Sequence, residues 1–159
     1  MNALTIAVVC FLLLHFLVHN LALHLNARAS RAALPEEFRG IYDPRKYATS
    51  QSYTRAKSRL EMANSLVNTL ALICLILFGA FAWLQNAVSG LPLPWLLQGL
   101  LFLAAVAVFF DLINLPLEIV SIFGLEERFG FNNTTPGTFI LDKIKTYALL
   151  AVIGSVAVS

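Results

Sequence analysis

The sequence predicts an all-α, polytopic helical membrane protein, and its composition and its long apolar runs carry that prediction. Of its 159 residues, 58% are hydrophobic and 13% are charged, and the mean hydropathy is +0.76. Globular domains are about 45–50% apolar and about 25% charged, and a small soluble fold cannot bury this much apolar side chain. Intrinsic disorder needs low hydrophobicity. The net charge of +2 is too small for a nucleic-acid-binding module, so no nucleic-acid partner is expected.

Three apolar runs are long enough to cross a bilayer, which takes about 20 residues. They cover residues 3–25, 63–84 and 95–117. The first run has no basic segment before it, which favours a retained helix over a cleaved signal peptide. A fourth run, 146–159, would span only about 21 Å as a helix. We therefore expect three full transmembrane helices and a truncated fourth in which the chain ends.

The basic residues predict the orientation of these helices. All 11 fall in two connections, residues 26–62 and 118–145, and none in the connection Gln85–Pro94. The positive-inside rule then predicts that the N-terminus is outside and that both basic loops are cytoplasmic. The membrane is expected to be an inner membrane of bacterial type or an endoplasmic reticulum membrane. The loop 26–62 is expected to include a helix, Ser50–Met62. Its charges could bind anionic lipid of the bilayer, although a role in setting the topology alone is favoured.

The third run carries a polar stripe formed by Asp111, Asn114, Glu118 and Ser121, at spacings that share one helical face. An ionisable group at membrane depth normally faces protein or water. The stripe therefore predicts the wall of an aqueous chamber. In the alternative, Glu118 and Ser121 lie beyond the membrane and Asp111 is a lone acid paired with a neighbour. The residues leave both interpretations open. Pro116, within the stripe, predicts a kink.

Two histidines of the first run, His15 and His19, are one helical turn apart. In a zinc-binding His-Glu-x-x-His helix the second position is the catalytic Glu, but here that position is Phe16. A haem pair would need a histidine on another helix, and the other runs have none. The favoured interpretation is that both line a helix interface or a water-filled space, with His24 near the headgroups. The residues alone show no catalytic constellation.

A charged and aromatic segment after the third run carries a family resemblance. Glu126-Glu127-Arg128-Phe129-Gly130-Phe131-Asn132 follows a Leu-Pro-Leu step at 115–117 and precedes Asp142 and Lys145. This pattern resembles the N-terminal membrane domain of the CAAX prenyl proteases, which are integral-membrane zinc metalloendopeptidases. The segment Tyr53–Arg59 resembles that family's other N-terminal signature.

The resemblance implies membrane helices around a water-filled chamber, with zinc held by a His-Glu-x-x-His helix and a later Glu. Those residues belong to a downstream catalytic domain, so residues 1–159 would be an N-terminal transmembrane domain with no catalytic or metal residue of its own. A peptide or a membrane protein would be the substrate. We expect Asp111, Asn114 and Glu118 to line the chamber. Glu126, Glu127, Arg128 and Asn132 are expected to dock the missing catalytic domain, or to form a self-contained turn.

Three functions are therefore compared. The first is the membrane part of a zinc endopeptidase that is inactive alone. The second is a non-catalytic membrane scaffold or regulator built on the same helices. The third is a small transporter or electron carrier that uses Asp111 and the histidines. We rank them in that order.

Overall fold

The computed structural model describes residues 2–30 and 43–156, and within these ranges the chain is helical without strands. Three helices are long and apolar enough to cross a membrane: Ala3–Ala29, Pro44–Leu77 and Trp95–Glu126. The all-α class and the number of candidate membrane spans are therefore confirmed. Residues 157–159 of the predicted fourth helix lie outside the described part. The elements are α1 (Ala3–Ala29), α2 (Pro44–Leu77), α3 (Ala80–Ser89), α4 (Trp95–Ile119), a π-helical segment (Val120–Glu126) and α5 (Pro136–Val156).

Helix α2 is longer than the predicted second span and begins much earlier. Its N-cap is Asp43, whose Oδ1 accepts the Arg45 N–H at 2.8 Å, and Pro44 occupies the first helical position. The helix ends at Leu77 instead of Leu84, because Gly79 adopts a left-handed φ of 67° before α3 begins. At 1.5 Å per residue α2 is about 51 Å long, so it extends well beyond the hydrocarbon layer.

The predicted loop 118–145 is mostly helical in the structure. Helix α4 continues through Pro116 into the π-helical segment, and the non-helical residues are confined to 129–135. Helix α5 begins at Pro136 instead of residue 146. Thr135 caps it, because its Oγ1 accepts the Thr138 N–H at 3.2 Å. The hydropathy pattern missed residues 136–145 of this helix because Asp142, Lys143 and Lys145 interrupt its apolar residues.

Side-chain hydrogen bonds join the helices across the membrane segments. The Asn20 amide donates to Ser65 Oγ at 3.0 Å and joins α1 to α2. Asn68 and Asn114 donate to one another at 2.7 and 2.9 Å and join α2 to α4. At one end of the bundle, Arg55 of α2 donates to the Ser30 carbonyl at 2.7 Å, just beyond α1.

The apolar side chains point outwards. Among the described residues, Val88 is the one hydrophobic side chain that counts as buried, whereas leucines such as Leu14 and Leu70 are 60% and 52% exposed. Polar side chains lie between the helices instead. This distribution is the one expected when the surrounding solvent is hydrocarbon.

Candidate functional site

Polar side chains of α1, α2 and α4 line two adjoining cavities. The cavities measure about 640 Å³ and about 320 Å³ and share Glu61 and Asn64. We call their joint surface the polar groove. The larger cavity is lined by Leu12, His15, His19, Glu61, Asn64, Ser65, Asn68, Thr69, Leu72 and Phe110. The smaller one is lined by Lys57, Leu60, Glu61, Asn64, Asn114, Leu117, Glu118 and Ser121.

Helical spacing brings the groove residues together. Glu61, Asn64 and Asn68 recur every three or four residues of α2 and therefore share one face. Asn68 meets Asn114 of α4 in the reciprocal amide pair, and Asn114 also donates to the Phe110 carbonyl at 2.7 Å. These two amides are hydrogen-bonded within the bundle and also line the cavities.

The four residues of the predicted stripe divide between two environments. Asn114, Glu118 and Ser121 line the smaller cavity. Asp111 instead turns towards α5, where its carboxylate meets Lys143 and Tyr147. Three residues of the stripe thus line one cavity, and the fourth is an acid paired with a neighbouring helix.

Lys143 bridges two carboxylates of α4. Its Nζ lies 2.6 Å from Asp111 Oδ1 and 2.7 Å from Glu118 Oε2, and the Tyr147 hydroxyl donates to the other oxygen of Asp111. The two acids are two helical turns apart, about 10 Å along the axis. We call these four residues the ion-pair network. It joins α5 to α4 and provides each carboxylate with a cation or a donor.

Sequence reasoning missed this network because Lys143 falls in the predicted loop 118–145. A signal existed, since Asp111 and Glu118 are two turns apart and Lys143 and Tyr147 one turn apart. Pairing these two spacings would have required a helix before residue 146. The groove residues of α2 were missed for a similar reason, because isolated amides within an apolar run do not reveal the face that they share.

The histidines of α1 belong to the groove. The rings of His15 and His19 lie nearly parallel, with centroids 6.0 Å apart and planes at 8°, and both line the larger cavity, whereas His24 does not. Within residues 2–30 and 43–156, no group of three or more His, Cys, Asp or Glu could hold a metal ion. The pair thus lies beside a polar cavity between helices.

The segment Glu126–Asn132 closes on itself through its backbone. The Glu126 carbonyl accepts the N–H groups of Phe131 at 2.8 Å and Asn132 at 3.2 Å. Gly130 has a left-handed φ of 74°, which favours glycine there. The Asn132 side chain accepts the Thr134 N–H at 2.6 Å. The side chains of Glu127 and Arg128 remain exposed.

The two segments that carry the family resemblance pack against one another. The Tyr53 ring makes edge-on contacts with Phe129 and Phe131, with centroids 5.5 and 4.9 Å away. Such pairs contribute about 0.5–1.5 kcal/mol beyond their buried area. Tyr53 therefore fixes the Glu126–Asn132 turn against the part of α2 that extends beyond the membrane.

Replacing Lys143 is expected to destabilise the chain more than replacing its neighbour Lys145. Lys143→Met leaves two carboxylates without their shared cation, and each lost charged hydrogen bond costs about 1.5–3 kcal/mol. Lys145→Met removes an exposed pair with Asp142 at 3.3 Å, which contributes at most about 1 kcal/mol. Denaturation of both variants in lipid–detergent mixtures measures the difference. Equal losses of stability would contradict the role given to the network.

Comparison with known proteins identifies the fold and the family. Residues 24–159 match the family model of the CAAX prenyl protease N-terminal domain, which is described as having five membrane helices. The crystal structure of S. mikatae Ste24p superposes with a TM-score of 0.87 and 24% sequence identity, over 98% of this chain and 38% of that one. It shows that the two share a membrane-protein fold.

Curated relatives agree with the family match. The CAAX prenyl protease 1 homolog of Arabidopsis thaliana is 32% identical over 129 residues, which cover 76% of this chain and 30% of the relative. CAAX prenyl protease 1 of Saccharomyces cerevisiae is 32% identical over 139 residues, 80% of this chain and 30% of the relative. The chain thus spans about a third of the length of these relatives. It belongs to the CAAX prenyl protease family, and it corresponds to the N-terminal membrane domain.

Proposed function

We propose that this chain is the N-terminal membrane part of a zinc-dependent endopeptidase and forms part of the wall of its intramembrane chamber. The observation that carries the proposal is the polar groove, which brings together histidines, amides and carboxylates at membrane depth. Uncompensated polar groups are costly there. The opposite surfaces of the same helices carry exposed leucines. A wall with one face towards water and the other towards lipid accounts for both surfaces.

The zinc of such an enzyme would be held by residues outside this chain. No His-Glu-x-x-His sequence occurs among the 159 residues, and the described part lacks any metal-binding group of three or more ligands. The residues present therefore do not fit a zinc site, and no catalytic step is assigned to them. The chain contributes chamber surface, and by itself is inactive.

We further propose that the N-terminus is outside and that both basic connections are cytoplasmic. The support is the charge distribution, because all 11 basic residues lie in the sequence between the first two predicted spans or after the third. The names of the relatives indicate prenylated C-terminal peptides as substrates. A cytoplasmic position of the two basic connections would be consistent with such substrates. The membrane would be of bacterial inner-membrane or endoplasmic reticulum type.

The docking surface for the catalytic part is proposed to be the Glu126–Asn132 turn. Its backbone is already satisfied internally, so its exposed charges, Glu127 and Arg128, are available for a partner. The Tyr53 ring of α2 packs against Phe129 and Phe131 and holds the turn in place. A turn that is already ordered favours docking through its exposed charges, because little loop entropy is lost on binding.

The protease proposal is tested on the longer protein that includes the catalytic part. We expect that protein to bind zinc and to cleave a prenylated C-terminal peptide, and we expect a chelator to abolish cleavage. The 159-residue chain purified alone is expected to do neither. Cleavage by the chain alone, or cleavage that resists chelation in the longer protein, would overturn the proposal. A gene without a downstream zinc motif would favour the scaffold function instead.

Docking is tested by Glu127→Gln in the longer protein, with Asp142→Asn as a control of equal charge change on exposed α5. Loss of an interfacial charged hydrogen bond costs about 1.5–3 kcal/mol. We therefore expect Glu127→Gln to reduce proteolysis by about tenfold or more and to lower the solubility of the longer protein. The control should change neither. Unchanged proteolysis and solubility for Glu127→Gln would remove the docking role and leave a self-contained turn.

A further inference from the structure

An arginine ends a stripe of exposed leucines on each of the two helices that pack together at the N-terminal side of the bundle. On α1, Leu14 and Leu21 are 60% and 58% exposed, and Arg28 follows seven residues later. On α2, Leu66 and Leu70, one helical turn apart, are 45% and 52% exposed, and Arg59 precedes Leu66 by seven residues. Residues seven apart occupy nearly the same helix face. Both arginines therefore continue surfaces that the structure presents outwards as apolar.

The two arginines lie at the same level along the α1–α2 pair. The hydrogen bond from Asn20 to Ser65 and the one from Arg55 to Ser30 define a single antiparallel register, since ten residues separate the contacts on each helix. In that register, residue 57 of α2 lies opposite Arg28 of α1. Arg59 is two residues further along α2, a distance of about 3 Å along the axis. Both guanidinium groups therefore belong to one layer.

No carboxylate of these helices faces the two arginines. Helix α1 contains no acidic residue, and the single acid of α2, Glu61, lines the polar groove. Among the described residues, neither Arg28 nor Arg59 takes part in an ion pair. Arg55, one turn from Arg59, is already used, because it donates to the Ser30 carbonyl and to Ser52 Oγ. It fixes the end of α1 against α2.

We propose that Arg28 and Arg59 bind the phosphate of an anionic phospholipid whose acyl chains lie along the leucine stripes. Guanidinium groups match phosphate oxygens with paired hydrogen bonds, and basic residues beside a membrane attract anionic headgroups. The leucines select a lipid over a free anion, because they provide apolar surface for the chains. This surface is separate from the polar groove and does not depend on the proposed protease function.

Native mass spectrometry of the detergent-solubilised chain tests the proposal. The probe is an equimolar mixture of phosphatidylserine and phosphatidylcholine with identical acyl chains, and the readout is the ratio of the two lipids retained. A basic residue at the surface is worth about fivefold in affinity. We therefore expect Arg28→Gln/Arg59→Gln to lower the preference for phosphatidylserine about tenfold or more. We expect the wild-type chain to keep this preference in the presence of inorganic phosphate.

The matched control is Arg45→Gln/Lys46→Gln, which removes two exposed positive charges from the first turn of the same helix. That turn lies about 20 Å from Arg59 along α2, so the preference should persist. Circular dichroism checks that the helix content of each variant is unchanged. If the double variant fails to fold, the two single glutamine variants replace it, and each is expected to lower the preference for phosphatidylserine about fivefold. The proposal is overturned if the control loses as much preference, if the arginine variants lose none, if the wild type shows none, or if phosphate displaces the lipid.

Discussion

Polar groups at membrane depth need a partner or water, and the rest of this structure depends on how the chain meets that requirement. The reciprocal amide pair of Asn68 and Asn114 and the bridge of Lys143 between two carboxylates use polar groups to hold helices together. Lipid provides no hydrophobic driving force between helices, so such contacts carry much of the helix pairing. In this bundle the same contacts also position the polar groups that face a cavity.

The placement of the polar groups gives the bundle two kinds of surface. Asp111 pairs with residues of α5, whereas Glu61, Asn64, Ser121 and the pair of histidines line the groove. The outward surfaces are apolar until they reach the level of Arg28 and Arg59, where the chain offers positive charge. The proposed chamber wall needs both surfaces, one that faces water and one that is anchored in lipid.

The sequence predicted the features that depend on local pattern and missed those that depend on distant residues. The apolar runs identified α1 and α4, and the charged segment at 126–132 identified the family. Helix ends were less accurate, because the caps at Asp43 and Thr135 and the left-handed Gly79 determine them more than hydropathy does. The partner of Asp111 could not be predicted, since Lys143 lies 32 residues away and is positioned by the turn between them.

The exposure of the groove to water is the central claim, and cysteine accessibility in lipid vesicles measures it directly. In a background with Cys10→Ala and Cys74→Ala, which removes both exposed native thiols, Asn64→Cys lines both cavities and Leu66→Cys lies two residues away on the lipid side. A charged, water-soluble thiol reagent should modify the first at least about tenfold faster, because a thiol in hydrocarbon is neither ionised nor reached by water. Equal rates, or faster reaction at the leucine position, would contradict a water-filled chamber wall.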